Sequence, residues 1–170
     1  MDAPCVLPNG SEGRLDCDDR NYFYMEPLDL RSKPPRSCYA ELDGLMLMPR
    51  TIDKLRAQLP GGNPGPYFIN GQIKGISGYL LERLGISEAQ LLDAVAQAAN
   101  EDEVAAWLRG RTDASQYPAI NATLKRIKPK HAQDEAYFRS EYDATLRQSP
   151  DLEFIVDIVD ADDRRIFGAG

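Results

Sequence analysis

Hydrophobic residues recur at helical spacing over most of the chain after residue 44, which predicts a mainly α fold. The clearest stripe follows steps of three and four residues, and its members are Leu45, Met48, Ile52, Leu55 and Leu59. Residues at this spacing share one face of a helix. Prolines and glycines from Pro60 onward end the helix, and Pro49 either lies in its first turn or kinks a longer helix.

Capping residues predict the next helices. Gly85 ends a helix that starts near Ser77, because glycine accepts the left-handed backbone that follows many helices. Ser87 and Gln90 have the spacing of a capping box, which predicts the start of a second helix. Asn100 opens a third helix by the same logic, with an acidic residue three positions later.

The last third of the chain predicts three more elements. A short helix begins near Pro118, and a longer one with Phe138 and Tyr142 on its apolar face ends before Pro150. The sequence Ser-Pro-Asp at 149–151 favours a final helix through residues 151–159. Apolar and polar residues also alternate there, so an edge strand stays open as an alternative.

One segment, residues 67–74, carries a strand signal. Its Asn70-Gly71 pair favours the positive backbone dihedrals of a two-residue hairpin turn. We therefore expect a compact helical domain over residues 28–170 with one short β-hairpin. Residues 1–27 are rich in proline and show no sustained period, so they predict an irregular N-terminal arm whose aromatic cluster at 22–25 docks on the domain or on a neighbouring subunit.

Composition narrows the class of protein. A chain of 170 residues with 42% hydrophobic content is enough for one domain with a core. A net charge of -7 argues against nucleic-acid binding. No run approaches the roughly 20 apolar residues that cross a membrane, so we expect a cytoplasmic protein without a membrane partner. Three dispersed cysteines and one histidine, His131, favour neither a metal site nor a cofactor.

The most reactive-looking cluster is Arg50, Asp53 and Lys54, which we treat as candidate catalytic residues. Their spacing of three and four places them on one side of a helical turn. Arg50 and Lys54 would hold a small anionic substrate while Asp53 acts as general base. The structural alternative is a helix surface stabilised by an Arg–Asp pair, without a substrate.

A second candidate set surrounds the glycine-rich turn. Tyr67, Asn70, Gln72 and Tyr79 combine aromatic rings with amide groups, a composition typical of small-molecule pockets and equally of a packed hairpin. We assign them to substrate binding. A basic block over residues 109–131 is a weaker candidate for a phosphate site.

Two apparent motifs do not hold. Ser77 follows Gly75, but Tyr79 occupies the position where a hydrolase nucleophile elbow needs glycine. Asp160 and Asp162 resemble the start of a calcium loop, but the chain ends before such a loop is complete. We therefore expect both aspartates to be exposed acids.

The sequence resembles a family of small bacterial proteins known only as a domain of unknown function. The resemblance rests on Leu-x-Pro-Arg-x-Ile-Asp-Lys at Leu47 to Lys54 and on Leu-Gly-Ile at residues 84–86, and it covers roughly residues 28–167. The stretch at 68–75 departs from the pattern. The resemblance implies a mostly helical, cytoplasmic bacterial protein and supplies no catalytic residue.

Two functions remain open. One is a small-molecule-binding helical domain, with or without activity as a cofactor-independent lyase, isomerase or hydrolase on a small anionic substrate. The alternative is an oligomeric protein-interaction module without catalysis, in which the N-terminal arm swaps onto a second copy of the chain.

Overall fold

A computed structural model describes residues 24–168 as a mainly helical fold with one small β-hairpin. The strands are β1 (Glu41–Leu42) and β2 (Leu45–Met46). The first four helices are α1 (Met48–Arg56), α2 (Ile76–Leu84), α3 (Glu88–Gln97) and α4 (Glu101–Arg109). The last four are α5 (Tyr117–Leu124), α6 (Glu135–Glu141), α7 (Asp143–Gln148) and α8 (Ile155–Phe167). The mainly α fold class with one hairpin is confirmed.

The hairpin lies where it was not predicted. Leu42 pairs with Leu45, and the two turn residues, Asp43 and Gly44, have φ values of 53° and 78°. These are the positive values that an Asp-Gly turn supplies between antiparallel strands. The hairpin lies directly before α1 and sets the direction in which that helix enters the core.

The predicted hairpin at 67–74 is wrong. Asn70 and Lys74 form a single isolated bridge, and the segment is a loop closed by Gly75 N–H donating to the Ile69 carbonyl at 3.0 Å. Two prolines lie just before this segment, at positions 64 and 66, and proline has no backbone N–H to donate to a strand ladder. The Asn-Gly signal thus belongs to a loop that packs beside α1.

Helix α1 is the centre of the fold, and it is buried on its charged side as well as on its apolar side. Every residue from Met48 to Leu55 is buried, and α1 packs against α2, α3 and β1. Pro49 lies in its first turn, directly after the first helical residue Met48, so the proline starts the helix and does not kink a longer one. Leu47 precedes the helix with φ of 70°, a strained value for a residue with a side chain.

The predicted caps of α2, α3 and α4 are confirmed. Gly85 ends α2 in the left-handed conformation with φ of 66°. Ser87 and Gln90 form the reciprocal capping box of α3. Asn100 caps α4 by accepting a hydrogen bond from the backbone N–H three residues later.

The C-terminal elements differ from prediction in two ways. The longer predicted helix is split into α6 and α7 at Tyr142, whose backbone is not helical. The final element is a helix, not a strand, but it starts at Ile155 instead of near Pro150. The break between α6 and α7 and the start of α8 place Tyr142 and Ile155 at a cavity beside α1.

The described part of the arm begins at Tyr24. Met25 is buried and its N–H donates to the Ala98 carbonyl at 3.1 Å, whereas half of the Tyr24 surface is exposed. Tyr22 and Phe23, the rest of the aromatic cluster, lie outside the described residues. Among the helices of residues 24–168, none combines the length and the apolar character needed to cross a membrane.

Candidate functional site

A cavity of about 250 Å³ lies beside α1 and is the candidate site. Its walls come from α1, the 66–75 loop, α2, α8 and the junction between α6 and α7. The apolar part of the lining includes Ile73, Ile76, Phe138, Ile155 and Val159. The polar part includes Arg50, Lys54, Tyr67, Tyr142 and Asp163, and further charged residues also line the cavity: Lys74, Glu141, Asp162 and Arg165. An apolar cavity with a few convergent polar groups is the usual form of a small-molecule site.

Arg50 is the most deeply buried charge of the site, with 1% of its surface exposed. Its Nη1 donates to Asp163 Oδ2 at 2.7 Å and to the backbone carbonyl of Arg36 at 2.9 Å. Its Nε has no acceptor within residues 24–168. A guanidinium has five N–H donors, so Arg50 retains hydrogen-bonding capacity next to the cavity.

Asp163 fixes two groups at once. Arg50 occupies one carboxylate oxygen, and the Tyr67 hydroxyl donates to the other at 2.6 Å. Burial raises the pKa of Tyr67 well above its ordinary value, and the bond to Asp163 raises it further. Tyr67 is therefore a protonated hydroxyl held in place, with its ring 5.5 Å from the Arg50 guanidinium carbon.

Lys54 lies one turn after Arg50 and has only 5% of its surface exposed. Its Nζ donates to the Phe68 carbonyl at 2.9 Å, and no carboxylate in the described part of the chain lies within 4.0 Å of it. Burial, assisted by the positive charge of Arg50, lowers the pKa of Lys54 from 10.5 to about 7. A large fraction of this amine is neutral at physiological pH, which is rare for lysine.

Tyr142 completes the polar side. It lies at the break between α6 and α7, is partly buried, and its hydroxyl makes no hydrogen bond to the described residues. Burial raises the pKa of Tyr142, and the charge of Arg50 partly offsets this effect. Tyr142 thus offers the cavity a protonated hydroxyl that is not committed to a partner.

A family model described as "Domain of unknown function (DUF5069)" matches residues 32–165, which is most of the chain. The chain belongs to the DUF5069 family. This confirms the predicted resemblance to a domain of unknown function. The Leu47–Lys54 motif as the family's signature and the bacterial origin stay predictions. No curated protein sequence matches the chain.

The DUF5069 match includes every residue that lines the cavity except Ile166. The site therefore belongs to the domain itself and not to the N-terminal arm. The family description assigns no reaction or ligand, so we infer the function from the arrangement of the side chains alone.

Four of the seven candidate residues in this DUF5069 domain line the cavity: Arg50, Lys54, Tyr67 and Tyr79. The Tyr79 hydroxyl donates to the His131 carbonyl at 3.1 Å. The structure thus brings together both basic residues and both tyrosines.

Asp53, assigned as the general base, is not among the lining residues. Its carboxylate accepts from Arg36 Nε at 2.9 Å and Arg36 Nη2 at 2.8 Å, and Arg36 also binds Glu101. These contacts fasten the 36–40 segment and α4 to α1. Asp53 is a buried structural ion-pair residue here, because its position on the helix turns it to Arg36 and away from Lys54.

Asn70 and Gln72 also do not line the cavity, and both are exposed. Asn70 donates to Glu88 at 2.9 Å and lies over Gly78, where an added Cβ would come within 2.5 Å of the Asn70 Oδ1. It fastens the loop to α2 and α3. The amide-rich turn is therefore a structural clamp, with its aromatic neighbour Tyr67 on the cavity side.

Sequence reasoning missed Asp163 and Tyr142. Asp160, expected to be exposed, is also buried and accepts from the Cys38 N–H at 2.8 Å. Asp163 follows Val156 and Val159 at helical steps of seven and four, so it shares their buried face, and this spacing was a usable signal. Tyr142 had no such signal, because its role depends on the break between two helices.

Proposed function

We propose that this domain binds a small organic anion, a carboxylate with a short apolar body, in the cavity beside α1. The observation that carries the proposal is the pair Arg50 and Lys54, two buried basic side chains that line the cavity from successive turns of one helix. Lys54 Nζ makes one hydrogen bond, to the Phe68 carbonyl, and a bound carboxylate would supply a further acceptor and a counter-charge.

The size and the walls of the cavity support a small ligand. Its volume of about 250 Å³ lies below the 300 Å³ or more that is typical of drug-sized ligands. The apolar wall, formed by Phe138, Ile155 and Val159 among others, would cover the carbon skeleton. A highly charged ligand such as a nucleotide would leave charges against this wall without partners.

The charge of the cavity supports an anion over a cation. Of the three carboxylates among the described residues that line the cavity, Asp163 is already shared by Arg50 and Tyr67, and Glu141 is exposed to solvent. Asp162 accepts from Arg165 at 2.7 Å and Thr145 at 2.5 Å. Lys54 is the basic group that lacks a carboxylate partner, so an incoming anion pairs with it.

A matched pair of probes tests the proposal. We expect 2-hydroxybutanoate to bind the purified, untagged protein in a calorimetric titration, and the neutral 2-hydroxybutanamide to bind at least about tenfold more weakly, the loss of one charged hydrogen bond. Lys54→Met should weaken 2-hydroxybutanoate binding by a similar factor. Lys125→Met is the control, because Lys125 is exposed and lies outside the cavity.

A native mass spectrum of the same preparation independently measures whether each subunit retains a small molecule. A retained small molecule of acidic mass on each subunit would support the proposal and identify the ligand class. Equal binding of the acid and the amide, or equal loss in both lysine variants, would contradict it.

A further inference from the structure

Lys54 has the features of a nucleophile as well as of a charge partner. Its amine lies in the cavity and is oriented by one hydrogen bond, from Nζ to the Phe68 carbonyl. When the amine is neutral, this bond uses one N–H and leaves the nitrogen lone pair free. Burial next to a second cation, here Arg50, is the environment that activates lysine amines toward carbonyl groups.

We propose that Lys54, reacting in its neutral form, forms an imine with the carbonyl carbon of a small 2-oxo acid whose carboxylate binds between Arg50 and Lys54. This inference rests on the proposed function, because it uses the same cavity and the same recognition of a carboxylate. It adds a substrate class, oxo acids, and a covalent step.

The step balances without an oxidant or a reductant. The neutral Lys54 nitrogen attacks the carbonyl carbon, and one proton passes from the nitrogen to the carbonyl oxygen to give a carbinolamine. The nitrogen then loses a proton while the hydroxyl group leaves with a second proton as water, and the C=N double bond forms. The products are the imine and one molecule of water.

Tyr142 is the group placed to move the protons of this step. It lines the same cavity, and its hydroxyl has no hydrogen-bond partner within residues 24–168. In the other candidate, Tyr67, the hydroxyl already donates a hydrogen bond to Asp163 at 2.6 Å. Tyr142 can therefore lend a proton to the carbonyl oxygen and recover one from the nitrogen, whereas Tyr67 orients Asp163.

Formation of the imine would activate the carbon next to the former carbonyl group. A protonated imine withdraws electrons from the neighbouring carbon more strongly than the ketone does, so proton removal or carbon–carbon cleavage at that carbon becomes easier. The class of reaction is thus a lyase or isomerase reaction on a 2-oxo acid, with Lys54 in the covalent role that sequence reasoning had not assigned.

Reductive trapping tests the inference on the unmodified protein. We would incubate the protein at pH 7 with 2-oxobutanoate, add sodium borohydride, and locate the adduct by intact mass and peptide mapping. The expected result is one reduced adduct per chain, on Lys54, which excess 2-hydroxybutanoate prevents. Adducts spread equally over Lys54 and the exposed Lys125, or no adduct on Lys54, would overturn the inference.

Two further measurements separate its failure from that of the proposed function. If 2-hydroxybutanoate binds but 2-oxobutanoate is not trapped, the imine is refuted and anion binding stands; if neither occurs, both fail. Tyr142→Phe should slow trapping by about 100-fold, the usual scale of acid–base assistance, while weakening 2-hydroxybutanoate binding much less. Equal effects on trapping and binding would refute the proton-transfer role.

Discussion

The unusual state of Lys54 predicts a stability effect that changes with pH. Its pKa is about 7 in the folded protein and 10.5 as the ordinary value, which we take for the unfolded chain. Between these pH values the unfolded state binds a proton that the folded state does not, so stability rises with pH. Below pH 7 both states are protonated and the full cost of burying the charge is present. Above about pH 10.5 both are neutral and the cost is gone.

The size of this effect follows from the two pKa values. Each tenfold change in a dissociation constant corresponds to about 1.4 kcal/mol, so the buried ammonium costs about 5 kcal/mol. Lys54→Met removes the charge but also the donor to the Phe68 carbonyl, which costs about 1 kcal/mol. We expect the variant to be more stable than the wild type by about 4 kcal/mol at pH 6 and about equally stable near pH 10, where most of the cost of burying the charge is gone.

Urea unfolding followed by circular dichroism at several pH values between 6 and 10 measures this difference. Lys125→Met, which removes one exposed lysine charge, is the matched control. The difference between Lys54→Met and wild type should fall from about 4 kcal/mol at pH 6 to near zero at pH 10, a change several kcal/mol larger than that of the control difference. A constant difference, or a variant that is less stable at every pH, would refute the reasoning.

Three further substitutions test individual parts of the fold by their free energy of unfolding. Asp163→Asn removes the carboxylate of a buried arginine and should cost about 3–5 kcal/mol, whereas Asp151→Asn, at an exposed site, should stay within about 0.5 kcal/mol; equal effects would contradict the buried ion pair. Gly85→Ala should cost about 1 kcal/mol because of its φ of 66°, and Gly110→Ala, at φ of -74°, should be neutral or stabilising; the reverse order would contradict the cap assignment. Ser77→Ala removes a buried hydroxyl without a partner and should be neutral or stabilising by up to about 1 kcal/mol, so a clear loss of stability would show that the hydroxyl has a partner.

Local signals predicted much of the helical framework. The left-handed Gly85 and the capping box of Ser87 and Gln90 are decided by neighbours within one turn, so the sequence alone reveals them. The same logic would have found the Asp43-Gly44 hairpin, whose turn signal is as strong as the Asn70-Gly71 pair that misled the strand prediction.

Contacts between distant parts of the chain decided the candidate site. Arg50 was correctly selected from its helix, but its burial depends on Asp163, which lies 113 residues later. Asp53 and Lys54 are adjacent in sequence, yet one binds Arg36 and the other enters the cavity. Spacing places such residues on one helix, and only the packing of α8 and the 66–75 loop decides which of them meet a ligand.

The proton balance of ligand binding tests anion binding at Lys54 most directly. A carboxylate bound beside Lys54 favours the ammonium form, so its pKa rises from about 7 and binding takes up protons. Calorimetric titration with 2-hydroxybutanoate at pH 7.5, in Tris and in triethanolamine, measures this uptake from the different ionisation enthalpies of the buffers. We predict a net uptake of a large part of one proton in the wild type and none in Lys54→Met. Absence of binding, or the same proton uptake in both proteins, would contradict the proposal.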